Sequence, residues 1–427
     1  MAKSGPGWTL TSEIAERTQG VVVSGYKRLT HGAALFIALT DQHRQGWIDA
    51  LEQIVPITPA SRAFDEDLTE AAAIAFTCSG LERLGMAPST LATFLPAFTE
   101  GMFQTDRLRR LGDRRKGAWL ETVMENGPSW SGNTRQQTPA EPEGAYVAGA
   151  AVERDGALEA VTTPITVHAV LFLYAREEAA VDAREAAVRE VLGAHGLEVV
   201  RRRELLLDIE GAGISREHFG FADGIAQPYP YDPKGKAVCR GDAVVTEPDP
   251  VNGVPLGEFL IGYSNGHGER APGPVVPGST IAEDDERAQD AGLEPHAAAR
   301  GFYDFGINGS YMVIRELHQD VPAFWHSMEA SAAVMRENDP TAAHVTADWI
   351  AERVVGRNKD GHILLPPDEA MPEPGTAPSR NFLFYEEDPH GYGCPLGSHV
   401  RRANPRDGLT PKPFMRETML KAANNHR

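Results

Sequence analysis

The sequence predicts an α+β fold of two ferredoxin-like domains on antiparallel sheets, the second incomplete at its C-terminal end. Two observations lead there. Residues 20–210 carry strand and helix signals in the order β-α-β…β-α-β, which folds as one sheet with helices on one face. The opening strand–cap–helix unit of that segment recurs far downstream, and no closing unit follows before Arg427.

Gly32–Thr40 is an unbroken apolar run and reads as a buried strand. Asp41 is placed to cap a following helix, with Trp47, Ile48, Leu51 and Ile54 on one face and Pro56 ending it. Ala71–Thr77 reads as a further strand. Thr166–Tyr174 reads as the next, then Ala175–Leu192 as a helix stopped by Gly193, and Leu197–Leu207 as the closing strand. In the second half Gly309–Arg315 reads as a strand and Asp320 as a cap with Pro322 in the first turn. Phe324, Trp325 and Met328 then form a helical stripe. These elements divide the chain into an N-terminal extension (1–20), a first domain (21–212) and a second domain (213–427).

Charge narrows the function. The 427 residues include 41 Lys+Arg against 60 Asp+Glu, a formal charge of −19. A nucleic-acid partner calls for a basic face, so none is expected. No stretch approaches the roughly 18 apolar residues of a membrane span, and residues 1–7 offer no apolar run for a signal peptide. Three widely spaced cysteines (Cys78, Cys239, Cys394) form no CxxC and no disulfide framework, which suits a reducing cytoplasm. The expectation is a cytoplasmic protein handling small molecules, with no membrane partner and no oligomeric state set by sequence.

The chemistry concentrates in two places. The tract Cys394-Pro395-Leu396-Gly397-Ser398-His399-Val400-Arg401-Arg402-Ala403-Asn404-Pro405-Arg406 holds one histidine followed by guanidinium groups. A neutral imidazole is a strong metal ligand, and arginine forks grip carboxylates. A metal with carboxylates beside it is how haem would present itself to such a segment. The second place is Gly220-Phe221-Ala222-Asp223-Gly224-Ile225, one carboxylate between glycines in apolar surroundings. Glycines admit close approach of a flat ligand. Phe221, Ala222 and Ile225 are expected to desolvate Asp223 and raise its pKa, as a group that takes and returns a proton requires. Alone, this short pattern reads first as a plain Asx-type turn.

Taken together, the two motifs resemble those of the dye-decolourising peroxidases. Phe76–Leu81, Phe98–Met102, Gly257–Tyr263 and Asn308–Tyr311 are similar to further segments of that family, so the resemblance runs from about residue 18 to the end. It implies two ferredoxin-like domains of the dimeric α+β barrel type with haem b between them. It implies His399 as axial iron ligand and Asp223 as distal acid–base, with Arg401 reaching a propionate and Gly224 and Ile225 against the cofactor. The implied activity is reduction of hydrogen peroxide and oxidation of dyes or phenolic compounds, the small aromatic reductants, with turnover favoured at low pH. One departure matters. The family's distal arginine follows residues resembling Asn425-His426-Arg427, where this sequence stops. A non-catalytic haem-binding protein is therefore the alternative expectation.

Other signals are weaker. Gly211–Arg216 half-matches a dinucleotide loop but has Arg216 where the third glycine belongs. His390, Cys394 and His399 match no common zinc spacing and lack a fourth ligand. Trp325 and Tyr385 are candidate electron relays or, more plainly, core aromatics.

Overall fold

The computed structural model describes residues 7–39, 46–102, 107, 110–112, 114–115, 118–119, 130–132, 151–154, 157–160, 165–207, 209–210, 214–235, 237–270, 273–280, 293–296, 299–373, 376–379 and 381–404. Its organising element is a four-stranded antiparallel sheet. In chain order come β1 (His31–Ala38), α1 (Trp47–Ile54), β2 (Glu70–Phe76), β3 (Ala169–Ala175), α2 (Glu178–Ala194) and β4 (Glu198–Leu206). The strands lie in the order β4-β1-β3-β2, with Leu35 opposite Leu171 and Leu171 opposite Ile74. The β-α-β…β-α-β order expected over residues 20–210 is present.

Burial on both faces explains the unbroken apolar run of β1. Leu35 and Ile37 meet Trp47 and Leu51 of α1 and Val188 and Leu192 of α2 in the largest core cluster. Ala34 and Phe36 point the other way and pack with Val170, Phe172, Trp130 and Ile314. Each such large side chain contributes roughly 1.5–3 kcal/mol by leaving water.

The helix ends differ in detail from the sequence expectation. α1 starts at Trp47 after Gly46, whose φ of 93° suits glycine, while Asp41 lies outside the described residues. α2 runs through Gly193 to Ala194, and Gly196 (φ 68°) makes the left-handed turn instead. The Leu197 amide then donates to the Leu192 carbonyl at 2.9 Å, closing a Schellman-type end. Glu185, buried on α2, accepts from Arg202 of β4 at 2.7 Å and so ties helix to edge strand. Burial pushes its carboxyl up, but Arg202 and Arg189 outweigh that and hold it below its ordinary range.

The amino-terminal segment joins the second half of the chain. Thr9 and Leu10 pair with Cys239 and Val238, and Trp8, Leu10 and Ala15 share a core with Val238, Leu256 and Leu260.

Further on, α3 (Val321–Asn338) opens as the sequence suggests. Asp320 Oδ1 accepts from the Ala323 amide at 2.9 Å, and Pro322 sits in the first turn. It packs on α4 (Ala347–Val355) around Ala332, Ala342 and Val345. The expected strand over 309–315 is not one: residues 309–320 carry no regular secondary structure. A strand needs a neighbour to complete its ladder, and no strand among the described residues pairs with this segment. It is held by side chains instead, with Ile314 on the Phe36 face and Glu316 bonded to Arg201 and Arg203. Among the described residues, the sheets of the second half have only two or three short strands.

None of the three cysteines forms a disulfide, and Cys78 and Cys394 are buried. Among the described residues no helix is long and apolar enough to cross a membrane.

Candidate functional site

Asp223 sits on a loop whose shape is set by Glu217. The Glu217 carboxylate accepts from the amides of Phe219 (2.8 Å) and Phe221 (2.9 Å), and Gly220 takes a φ of 94°. Beyond it the Asp223 amide donates to Ser215 O at 2.8 Å, and Asp223 Oδ1 accepts from Gly224 N at 2.6 Å. Phe221 is buried, stacked at 6.4 Å on Trp325. Asp223 is not desolvated as the sequence reading expected: its side chain is exposed. Of its apolar neighbours in sequence, Phe221 turns away to face Trp325, while Ile225 packs on Gly361 without covering the carboxylate.

What Asp223 faces is a cavity of about 1640 Å³, which Asp223, Gly224 and Ile225 all line. This exceeds the roughly 300–1,000 Å³ of ordinary small-molecule sites. One wall is aromatic. Phe94 stacks on Phe98 at 4.9 Å, Phe305 meets Phe94 at 6.3 Å, and Tyr311 meets Phe98 at 5.6 Å. Another wall is the loop bearing Arg17, Lys27 and Arg28.

His399 is not on that lining. It is the first residue of α5 (His399–Ala403), exposed, with no hydrogen bond to the described residues. Asp388 builds its setting. Asp388 Oδ2 accepts from the amides of Gly393 (3.1 Å) and Cys394 (2.8 Å), and Oδ1 from Tyr392 (2.9 Å). Arg401, expected at a propionate, donates from Nη2 to Asp388 Oδ2 at 2.9 Å and lies over Phe384 at 4.7 Å. Its Nε is buried with no acceptor among the described residues.

Two glycines connect the segments. A Cβ on Gly356 (φ 92°) would fall 2.5 Å from Val400 Cγ1 and 2.8 Å from Cys394 Sγ. A Cβ on Gly361 (φ 90°) would fall 2.3 Å from Ile225 Cδ1 and 3.0 Å from Ala222 Cβ. Residues 356–361 thus touch the His399 turn at one end and the Asp223 loop at the other. Five residues span at most roughly 18 Å. The turn here is tighter, since Gly361 N donates to Asn358 O at 2.9 Å, and the Ala222 amide reaches Lys359 O at 3.1 Å.

This donor set fits haem in its chemistry: an exposed imidazole without an internal partner, a carboxylate on a roomy cavity, and glycine beside it. Among the described residues no three His, Cys, Asp or Glu side chains cluster to hold a bare metal ion. Residues 405–427, with Pro405, Arg406 and Asn425–Arg427, lie outside the described residues, as does the Gly211–Gly213 loop. The sequence reading missed Asp388, the two connecting glycines and the loop 17–28. Their partners lie far along the chain, so no local pattern marks them.

No family model matches the chain. Over 264 residues it is 26% identical to a dye-decolorizing peroxidase of Mycena epipterygia, covering 57% of this chain and 40% of that protein. Over 211 residues it is 29% identical to a multifunctional dye peroxidase of Amycolatopsis sp., covering 47% of this chain and 33% of that one. The chain therefore spans less than half the length of both relatives. Among solved structures, an Anabaena sp. DyP-type peroxidase aligns with a TM-score of 0.61 at 19% identity, over 100% of this chain and 75% of that one. A decolorizing peroxidase from Auricularia auricula-judae aligns at 0.55 and 18% identity, over 92% and 69%. This chain shares its fold with the dye-decolourising peroxidases and resembles them in sequence.

Proposed function

We propose that this chain is a haem-dependent peroxidase that reduces hydrogen peroxide and oxidises dyes or phenolic compounds. The observation that carries the reading is the connection just described: the two motifs of the resemblance, far apart in sequence, are packed against the two ends of one short turn, 356–361. Two ferredoxin-like domains are part of the same reading, the first of them being the β4-β1-β3-β2 sheet with α1 and α2.

Haem b, held by His399, would supply the redox-active iron that peroxide reduction needs. The chain's own residues bind, orient and move protons. His399 stands at the start of α5 with its imidazole free to ligate iron, and the Asp388–Arg401 pair fixes that helix. Asp223 is the acid–base: its Oδ1 is occupied by Gly224 N, so Oδ2 is the atom that takes a proton from one peroxide oxygen and returns it to the other. Over the whole cycle the peroxide takes two electrons and two protons from the aromatic reductant and leaves as two waters, one of them formed at the oxygen that Asp223 protonates. Gly224 and Ile225 line the cavity beside the carboxylate, and the Phe94–Phe98 wall suits aromatic rings.

One relative in the solved structures is a dye-decolorizing peroxidase in complex with 2,6-dimethoxyphenol, which names a suitable reductant. The test is peroxide-dependent oxidation of that phenol by the haem-loaded chain and by Asp223→Asn. Turnover in the first and a loss of roughly 10²–10⁴-fold in the second are expected. Haem uptake without turnover in the wild type would support the non-catalytic haem-binding protein instead.

A further inference from the structure

The cavity beside Asp223 carries cations that the reading above does not use. The chain is strongly acidic overall, yet Arg17, Lys27 and Arg28 all line this cavity. Arg28 leans toward Glu66 at 3.8 Å. Lys27 forms no ion pair with the described residues. Its ammonium lies beside the Asp223 motif: a Cβ built on Gly224 would stand 4.0 Å from Lys27 Nζ and 3.9 Å from Ser215 Oγ.

The backbone aims Lys27 there. Tyr26 is one of two non-glycine residues with positive φ among those described, at 49°. It is buried, its ring 5.1 Å from Tyr174, and Gly20 leaves room for its hydroxyl. The Tyr26 amide donates to Ser24 Oγ at 3.0 Å, and the Leu29 amide donates to Tyr26 O at 2.7 Å. A side chain held in the left-handed region by such packing marks a position where conformation is imposed for a purpose. Here Tyr26 is buried while Lys27, exposed, lines the cavity next to it. Arg401, the cation expected to meet a carboxylate, is meanwhile closed on Asp388.

Resting on the haem reading, we propose that Lys27 receives a carboxylate of the tetrapyrrole, holding it by a charge-assisted hydrogen bond at the Asp223 wall. Lys27 is a binding residue, not a proton carrier.

The experiment titrates the 427-residue chain with haem and, separately, with haem whose two propionates are methyl esters, following the Soret band. Wild type, Lys27→Met and Lys27→Arg are compared. Lys27→Met is expected to bind haem about tenfold or more weakly, Lys27→Arg to stay near wild type, and the diester to bind wild type and Lys27→Met alike. Lys27→Met binding haem as tightly as wild type overturns the assignment. So does an equal loss of haem and diester, because that reports damage to the fold. A wild type that takes up neither porphyrin overturns the haem reading itself, a result separate from failure at Lys27 alone.

Discussion

Arg401 closes on Asp388 with 2.9 Å between Nη2 and Oδ2, their side chains only 6% and 1% exposed. The guanidinium that the sequence places at a cofactor is first of all the clasp of the turn that carries His399. Asp388→Ala strands a buried cation and deprives three amides of their acceptor, so a loss of about 3–5 kcal/mol is expected in urea unfolding. Asp388→Leu combined with Arg401→Met, which removes both charges, costs less. A single-variant loss under about 1 kcal/mol would mean the pair does not hold the turn.

Gly361 is held by both conformation and contact. With φ at 90° and Ile225 Cδ1 2.3 Å from the Cβ position, Gly361→Ala is expected to lose at least about 1–2 kcal/mol from backbone strain alone. Shortening the neighbour in Ile225→Ala relieves only the contact. A double-mutant cycle in thermal unfolding therefore shows a favourable coupling between the two positions. Strict additivity would contradict the close approach.

His168 ties stability to pH. It is buried just before β3, with Nδ1 accepting from the Leu39 amide at 3.0 Å. Its Nε2 finds no acceptor among the described residues. Burial, helped by Arg83, lowers its pKa from 6.5 to about 4. The unfolded chain thus binds this proton more readily, so the contribution is complete above about pH 6.5 and is lost as pH falls toward about 4. The loss from this group is about 3 kcal/mol. Urea midpoints at pH 7.5 and 4.5 measure it, and His168→Asn, which keeps an acceptor for Leu39, flattens the difference. Equal slopes in both proteins would reject the assignment.

Glu316 anchors the segment 309–320 to the first sheet. Burial pushes its carboxyl up, but Arg201 and Arg203 overcome that and hold it at about 2. Glu316→Gln is expected to speed amide exchange at 311–318 while leaving β1 and β3 protected. Added salt has a smaller effect on the variant than on the wild type. Unchanged exchange in this segment would show that Ile314 alone holds it.

Much of the four-stranded sheet and its two helices is legible in the sequence because the signals are local: apolar runs in β1 and β3, an amphipathic α2, glycine at the helix end. Even so, Gly196 and not Gly193 makes that turn, since carbonyl satisfaction at Leu192 decides the stop. The segment at 309–315 shows the limit of such reading. Tyr311, Met312, Val313 and Ile314 have strand-forming side chains, yet propensity builds no ladder without a neighbour. The site is legible by motif in Asp223 and His399. The burial expected around Asp223 is not, because side chains adjacent in sequence point into different packing environments. Asp388, Gly356 and Gly361 gain their meaning only from partners brought in by the fold.

The central claim is that His399 ligates iron, and cavity complementation tests it most directly. His399→Gly removes the imidazole and leaves α5 its first turn. The account predicts a Soret band in the haem-loaded wild type that is shifted or lost in His399→Gly and restored by added imidazole. An identical spectrum in wild type and variant, indifferent to imidazole, would contradict it.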